Sequence, residues 1–383
     1  MVGVWTYPWT LYEQGVEDAC RSLVERGIEK LTVACHHHSA RVFQPRFPDA
    51  HFERRQGGCY FDPDDDRFAD LPIRPIQNDI DGASDPLGDV VSVADSYGLQ
   101  TNAWIVHMHN SRLGASHPAY QLEDAFGTSH EHALCPSDPA VRRYFAAITA
   151  EAADRDVTAV ELEAIRFPSV FHGHGTTFGH DARQVLATNV EERLFSQCFC
   201  DACRSRARTH AVDMERARSV VRDLVRQSFR RPDTDPPTLS ELLRQEPVLR
   251  DLIEFRISTI DALLERIAAA ADGVRVNTYV RESSPDRFAG RTLDVLETHS
   301  DRLTALCYVS DPDVVRDRIR TLRRRVEVPI DVGLTLDPSV LGSASELSAM
   351  VDAVRSETDG QVTVYNHAML TEAQLDWVGA VAE

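Results

Sequence analysis

Short runs rich in Val, Ile, Leu and Thr alternate eight times with stretches of helical period along this 383-residue chain, and few folds accept that alternation. The runs are Val2–Thr6, Lys30–Cys35, Thr101–His107, Val157–Glu163, Val274–Tyr279, Leu303–Tyr308, Pro329–Thr335 and Val362–Tyr365. Helical patterns lie between them at Val16–Arg26, Leu87–Tyr97, Pro139–Arg155, Leu249–Ala271, Pro312–Arg325 and Glu346–Ser356. A last helix is expected after Thr371, whose hydroxyl suits an N-cap. Eight β-then-α units predict an α/β fold, a (β/α)8 TIM barrel. The competing doubly wound sheet wants a Gly-rich phosphate turn after its first strand, and Val2–Thr6 is followed by Tyr-Pro-Trp. A first strand at residue 2 and a last helix at the C-terminus suit a closed barrel with no added domain. Residues 1–383 are therefore expected to form one barrel domain, with long insertions at about 36–84 after strand two and 164–248 after strand four. Such insertions build the face of a barrel where active sites form.

Charge excludes some partners. Asp and Glu number 60 against 41 Lys and Arg, for a net charge of −19, and Lys30 is the single lysine. That surface repels nucleic acid and anionic lipid. No apolar run reaches the length of a membrane span, and the N-terminus lacks the pattern of a secretory signal, so a cytoplasmic location is expected. Acidic excess with almost no lysine also suits a high-salt cytoplasm, where carboxylates hold hydration and salt screens their repulsion. GC-rich codon usage is the other source of an Arg-for-Lys bias.

Three of the eight cysteines fall within six residues, Cys198-Phe-Cys200-Asp-Ala-Cys203. Cys-x-x-Cys supplies two thiolates to one tetrahedral ion, and a third closes from the other side. Cys135, at the end of the loop after strand three, is the expected fourth ligand, with Cys59 in reserve. A redox pair would want a thioredoxin-like context, which is absent. The expected cofactor is a structural zinc, which in a closed four-thiolate site pins loops and has no open position for catalysis.

Glu161 and Glu163 alternate with Val160 and Leu162 on strand four, so both glutamates face the barrel interior. Two carboxylates this close in a partly dry site push one towards protonation, the setting of a general acid. His36, His37 and His38 follow strand two, His107 and His109 end strand three ahead of Asn110 and Arg112, His172 and His174 follow strand four, and Asn366 and His367 follow strand eight. Trp5, Tyr7, Trp9, Trp104, Tyr279, Tyr308 and Tyr365 lie near the same rim. Flat rings suit the apolar faces of sugars, while Asn and His suit hydroxyls.

Two resemblances sharpen this. LCPSDPAVRRYF (134–145) followed by CFCDACR (198–204) resembles the zinc cluster of the family 42 β-galactosidases. NAWIV (102–106) and VTAVELEAIRFP (157–168) are similar to the NAW and IHLDYIRFP strings of the family 10-like glycosyl hydrolases. Together they cover roughly residues 100–205 and imply a barrel with carbohydrate chemistry. The resemblance places Glu163 where these families keep the fourth-strand carboxylate, the acid/base in family 42. A retaining glycosidase also needs a second carboxylate, and strand seven, PIDVGLTLDP, has no glutamate. Asp337 or Glu161 then substitutes, with Asp331 a more distant option, or the reaction inverts, or the chemistry differs.

The leading expectation is a carbohydrate-active hydrolase with Glu163, Glu161 and Asp337 as catalytic candidates. Trp5, Tyr7, His37, His107, His109, Asn110, Arg166, Asn277, Tyr308 and Asn366 are the substrate-binding candidates, and Cys135, Cys198, Cys200 and Cys203 the metal ligands. The alternatives are a metal-dependent sugar isomerase, epimerase or lyase, and a sugar-binding barrel without catalysis. The expected partner is a small-molecule carbohydrate, with neither nucleic acid nor membrane, and homo-oligomerisation stays open. The charge balance predicts a melting temperature that climbs as salt rises from about 0.1 to 3 M, a range over which the screening length shrinks severalfold. A melting temperature flat across that range contradicts it.

Overall fold

The computed structural model describes residues 1–47, 52–171, 189–230, 237–281 and 286–382. Eight parallel strands form the frame: β1 (Val2–Thr6), β2 (Lys30–His37), β3 (Gln100–Val106), β4 (Ala159–Glu163), β5 (Arg275–Val280), β6 (Arg302–Leu306), β7 (Ile330–Thr335) and β8 (Val362–Tyr365). Each pairs with its neighbours in sequence, and β1 pairs with both β2 and β8, so the sheet closes on itself. The outer helices are α1 (Val16–Glu25), α2 (Pro86–Ser96), α3 (Pro139–Ala153), α4 (Pro247–Ala270), α5 (Leu293–Thr298), α6 (Pro312–Arg323), α7 (Ala344–Arg355) and α8 (Glu372–Ala380). The chain is an α/β (β/α)8 barrel.

Local chemistry sets the helix ends. Asp138 accepts from the Ala140 N–H ahead of Pro139, which starts α3 with its φ already helical. Thr371 and Gln374 form a reciprocal capping box on α8. Helix α1 buries Val16, Ala19, Cys20 and Leu23, one apolar stripe at helical spacing. Helix α5 has only six residues, too few to show a period in the sequence.

Besides the two expected insertions, a third long connection follows β3. It carries a short helix, Ser111–Ser116, and an antiparallel hairpin of Gln121–Glu123 with Ser129–Leu134. The second hairpin strand reads SHEHAL, without the β-branched residues that mark a strand in sequence. After β2, Ala40–Phe43 pairs antiparallel with Phe52–Arg55, and Gly58–Cys59 adds to the edge of β2.

Strand alternation sends side chains to two layers. Val160, Leu162, Ile105 and Val332 join the helices in the outer core. The barrel interior is itself divided. Its lower part is polar: Arg302 grips Asp331 with two bonds of 2.7 and 2.8 Å, and Lys30 Nζ donates to Gln361 Oε1 at 2.8 Å. The lysine stem runs over Gly3, where a Cβ would approach it to 2.8 Å. Above lies an aromatic layer built on Trp5, Trp104, Tyr279 and Tyr365. Trp5 lies across Gly333, where any Cβ would come within 2.6 Å of the indole.

Register breaks once, between Ala34 and His36 on β2. This bulge turns His36 outward and His37 inward, re-aiming both rings at the strand's end. His36 donates its Nδ1–H to the Val106 carbonyl (2.9 Å), and its Nε2 accepts from the Tyr144 hydroxyl (3.1 Å). His107 also faces the helices, with its ring against Phe145 at 5.0 Å. Burial pulls the pKa of His36 down to about 4 and that of His107 to about 3. Both rings are neutral in the fold and take up protons readily only when it opens. Between pH 6.5 and about 3 the unfolded chain therefore binds more protons, and stability falls as the pH falls through that window. Denaturant melts from pH 7 to 4 check this. The slope is expected to be shallower in His36→Gln and His107→Gln, and an unchanged slope in both contradicts the assignment.

Candidate active site at the barrel mouth

Glu163 is the last residue of β4 and stands at the C-terminal opening of the barrel. Its Oε2 accepts from the Trp104 indole N–H at 2.7 Å, which orients the carboxylate. Ala164, immediately after it, has a left-handed φ of 57°. A side chain there costs about 1–2 kcal/mol, and the turn carries the chain out of the barrel while the carboxylate stays directed in.

Two chambers meet at this carboxylate. One, of about 310 Å3, is lined by Trp5, Trp104, Tyr279, Leu306, Tyr308 and Tyr365. The other, of about 280 Å3, is lined by His38, His109, His132, Arg166 and Phe171, among others. Glu163, His38 and Arg281 border both. Together they approach the size of small-ligand sites. Burial raises the phenol pKa of Tyr365 to about 12 and those of Tyr279 and Tyr308 well above the usual value, so all three present neutral hydroxyls. Tyr279 OH accepts the Trp5 N–H at 2.5 Å, and Tyr365 OH lies 3.0 Å from Tyr7 OH. The aromatic floor is thus fastened by polar contacts at its ring edges.

The sequence-selected residues divide into three groups. Glu163, Trp5, Tyr308, His109 and Arg166 line the chambers. Tyr7 and His37 lie just beneath: Tyr7 stacks with Trp104 at 5.9 Å between ring centres, and His37 meets it edge-to-face at 4.7 Å. The others are held elsewhere. Glu161 is 2% exposed and faces the lower polar layer. Its Oε1 accepts from Asn102 at 2.6 Å and from Asn277 at 3.4 Å, so Asn277 is equally committed. Asp337 is exposed, and its Oδ1 accepts from the Ser339 hydroxyl and N–H at 2.6 and 2.8 Å. Those bonds hold its pKa below the usual value and turn it into its own loop. Asp331 belongs to the lower layer through Arg302. Asn110 caps the helix after β3 by accepting from the Leu113 N–H, Asn366 accepts from the Ala368 N–H, and His107 faces the outer helices. His172 and His174 lie outside the described residues. Among the described residues of the two chambers, Glu163 is the one carboxylate.

Three basic lining residues, His38, His132 and Arg281, are absent from the substrate-binding candidates read from the sequence. His38 lies next to the selected His37, one residue past the end of β2. His132 comes from the unforeseen hairpin and donates its Nε2–H to the Ser169 carbonyl at 2.9 Å. Arg281 follows β5 by one residue, with no motif around it.

Behind the His132 wall lies the cysteine cluster. Cys135, Cys198, Cys200 and Cys203 are buried, and their sulfurs all lie within 4.8 Å of one another. Cys135 follows the hairpin after β3, and the other three flank the start of a helix at Asp201–Ala207 in the connection after β4. Cys59 is remote, near the Phe61 carbonyl. The four sulfurs can hold a metal ion, and they join the connections that supply the two faces of the second chamber.

The contrast between the glutamates is testable. Glu161→Ala leaves two asparagine amides without their acceptor and takes a compensating negative charge from the field of buried Lys30, and is expected to cost about 3 kcal/mol or more. Glu163→Ala opens onto the cavity and is expected to cost about 1 kcal/mol or less. Urea melts at fixed salt compare them, and equal losses contradict the two placements.

No protein-family model matches this sequence, and no curated protein does. Solved structures do match in fold. The catalytic domain of the β-amylase from Paenibacillus polymyxa superposes with a TM-score of 0.55 at 11% identity, covering 100% of this chain and 98% of that one. The β-galactosidase from Bacillus circulans sp. alkalophilus gives 0.57 at 12% identity, covering 100% of this chain and 55% of that one. The β-galactosidase from the psychrophilic Marinomonas ef1 gives 0.56 at 11% identity, with 100% and 58% covered. This chain therefore spans little more than half the length of either β-galactosidase. At such identities the likeness is one of fold, the closed (β/α)8 barrel that this chain has in common with the β-amylase and the β-galactosidases.

Proposed function

We propose that the protein is a carbohydrate-active hydrolase that cleaves a glycosidic bond at the barrel mouth, with Glu163 as the general acid. The observation that carries this reading is one carboxylate, fixed by an indole N–H at 2.7 Å, between an aromatic chamber and a polar one. Tyrosine and tryptophan faces receive the apolar side of a sugar ring, and Glu163 protonates the leaving oxygen. The β-amylase and β-galactosidases that share the fold support carbohydrate as the substrate class.

The second group follows from the lining. His38 borders both chambers with Glu163, and its Nδ1 donates to the Ser39 carbonyl at 2.7 Å. That bond leaves the Nε2 lone pair of the neutral ring to accept a proton. Attack by water activated at His38 needs no carboxylate on strand seven. The isomerase reading, which needs a metal among glutamates and histidines, is less favoured: among the described residues only the four cysteines gather three or more ligand atoms.

At the cysteine cluster we propose a structural zinc. Bonds of about 2.3 Å from a tetrahedral zinc give sulfur–sulfur edges of about 3.8 Å. Cys135 Sγ lies 3.5, 3.8 and 3.5 Å from those of Cys203, Cys198 and Cys200. Four thiolates and one zinc carry two negative charges, and Arg142, Arg206 and Arg256 lie within electrostatic reach of these sulfurs. Zinc here would brace the cavity wall and leave the chemistry to the barrel residues.

The test is hydrolysis of a panel of nitrophenyl glycosides in high salt, with metal content measured on the same preparations. Turnover of at least one glycoside, reduced about 10²- to 10⁴-fold in Glu163→Gln, and one zinc per chain that is lost in Cys198→Ser are expected. Turnover equal in Glu163→Gln and wild type overturns the assignment of Glu163. Metal that persists after the cysteine change overturns the zinc site.

A further inference from the structure

We propose that the sugar recognised at the barrel mouth carries an anionic substituent, a carboxylate or a sulfate ester, and that the chamber beside Glu163 seats it. This deepens the hydrolase reading and rests on it for the location of the reacting bond.

The two chambers differ in chemistry. The aromatic one presents indole and phenol rings. The other presents His38, His109, His132, Arg166 and Arg281, against the single carboxylate of Glu163 among its described lining residues. In a chain with 60 acidic residues, 41 basic ones and a net charge of −19, a cavity of the opposite character is a local reversal. Both guanidiniums are charged at any physiological pH. Arg166 and Arg281 are exposed to the opening, and Arg281 makes no ion pair with a carboxylate among the described residues. Many other arginines of this chain do reach one, as Arg155 does at Asp85 and Arg320 at Glu357.

The histidines extend the same surface. The rings of His38 and His109 lie 5.1 Å apart between centres, and those of His109 and His132 lie 5.8 Å apart. The planar guanidinium fork of arginine matches a carboxylate or sulfate edge with two parallel bonds. A neutral sugar placed here strips water from the Arg281 guanidinium and returns no charge, whereas an anionic one replaces that water with charge-assisted bonds. The acidic outer surface does little to oppose entry in salt, because its field decays within about 3 Å at 1 M. At that range the cations lining the chamber govern the encounter.

Calorimetric titration of the wild-type protein at constant ionic strength separates the possibilities. The probes are D-glucuronate, D-galacturonate and D-galactose 6-sulfate, each set against neutral glucose or galactose. At least one anionic sugar is expected to bind about tenfold or more tightly than its neutral counterpart, and Arg281→Gln to bring that ratio to about threefold or less. Preference for the uronates assigns a carboxylate, and preference for the sulfated sugar assigns a sulfate ester. Equal affinity for anionic and neutral sugars, or no binding by any of them at millimolar concentration, overturns the proposal. The wild-type comparison among sugars stands whether or not the variant folds. Because the readout is binding, it separates this proposal from the reading beneath it. Anion preference without turnover of the matching nitrophenyl uronides keeps the anion seat and removes the hydrolase, and turnover with neutral preference does the reverse.

Discussion

The barrel interior cannot be filled by aliphatic side chains alone, because eight inward-facing strands here carry Lys30, Asn102, Glu161, Asn277, Arg302 and Asp331 at their lower ends. Each is buried or nearly so, and specific bonds hold the layer: Asp331 with Arg302, Glu161 with two asparagines and Lys30 with Gln361. Glu161 Oε2 and the Oδ1 atoms of Asn102 and Asn277 have no hydrogen-bond partner among the described residues, and a partly satisfied polar layer is among the more costly features a core can hold. The aromatic layer rests directly on it. Trp104 stands opposite Glu161 in the β3–β4 register and gives its N–H to Glu163 above. One strand thus supplies a structural carboxylate and an accessible one, two residues apart and on the same face.

The walls of the site depend on a second constraint. The connections after β3 and β4 are long and carry few strands of their own, so something must fix their relative position. His132 reaches the Ser169 carbonyl across the gap, and the cysteines join the same two connections from behind. Arg256 lies within electrostatic reach of the cluster, stacked 3.9 Å over Phe167, which adjoins the chamber-lining Arg166 and Pro168, and bonded to Gln197 at 2.5 Å. Changes at the cysteines would therefore reach the chamber through packing, without any contact to the substrate.

Much of this was legible in the chain. All eight strands appear where β-branched runs interrupt helical period, because each strand packs one face against helices and needs apolar residues there. The cysteines were legible because three of them share one short loop and the fourth ends its neighbour. The orientation of individual side chains was less so. The bulge between Ala34 and His36 reverses the alternation on β2, and no residue type in the sequence announces it. His107 lies beyond the last paired residue of β3, and the strand period carried it to the outer face. Asp337 is two residues past β7, near enough in sequence to serve as a nucleophile, but its bonds to Ser339 direct it outward. Arg281 is a lone arginine after a strand, and only the closed barrel brings it beside Glu163.

The claim on which this account turns is that sugar binds on the Trp5–Trp104 floor next to Glu163. Titration of intrinsic tryptophan emission with mono- and disaccharides, run beside calorimetry, tests that most directly. A saturable change in emission that tracks calorimetric binding and is largely lost in Trp104→Phe is predicted. Sugars that bind calorimetrically with no change in emission, or with the same change in Trp104→Phe, would place the ligand elsewhere on the molecule and contradict the account.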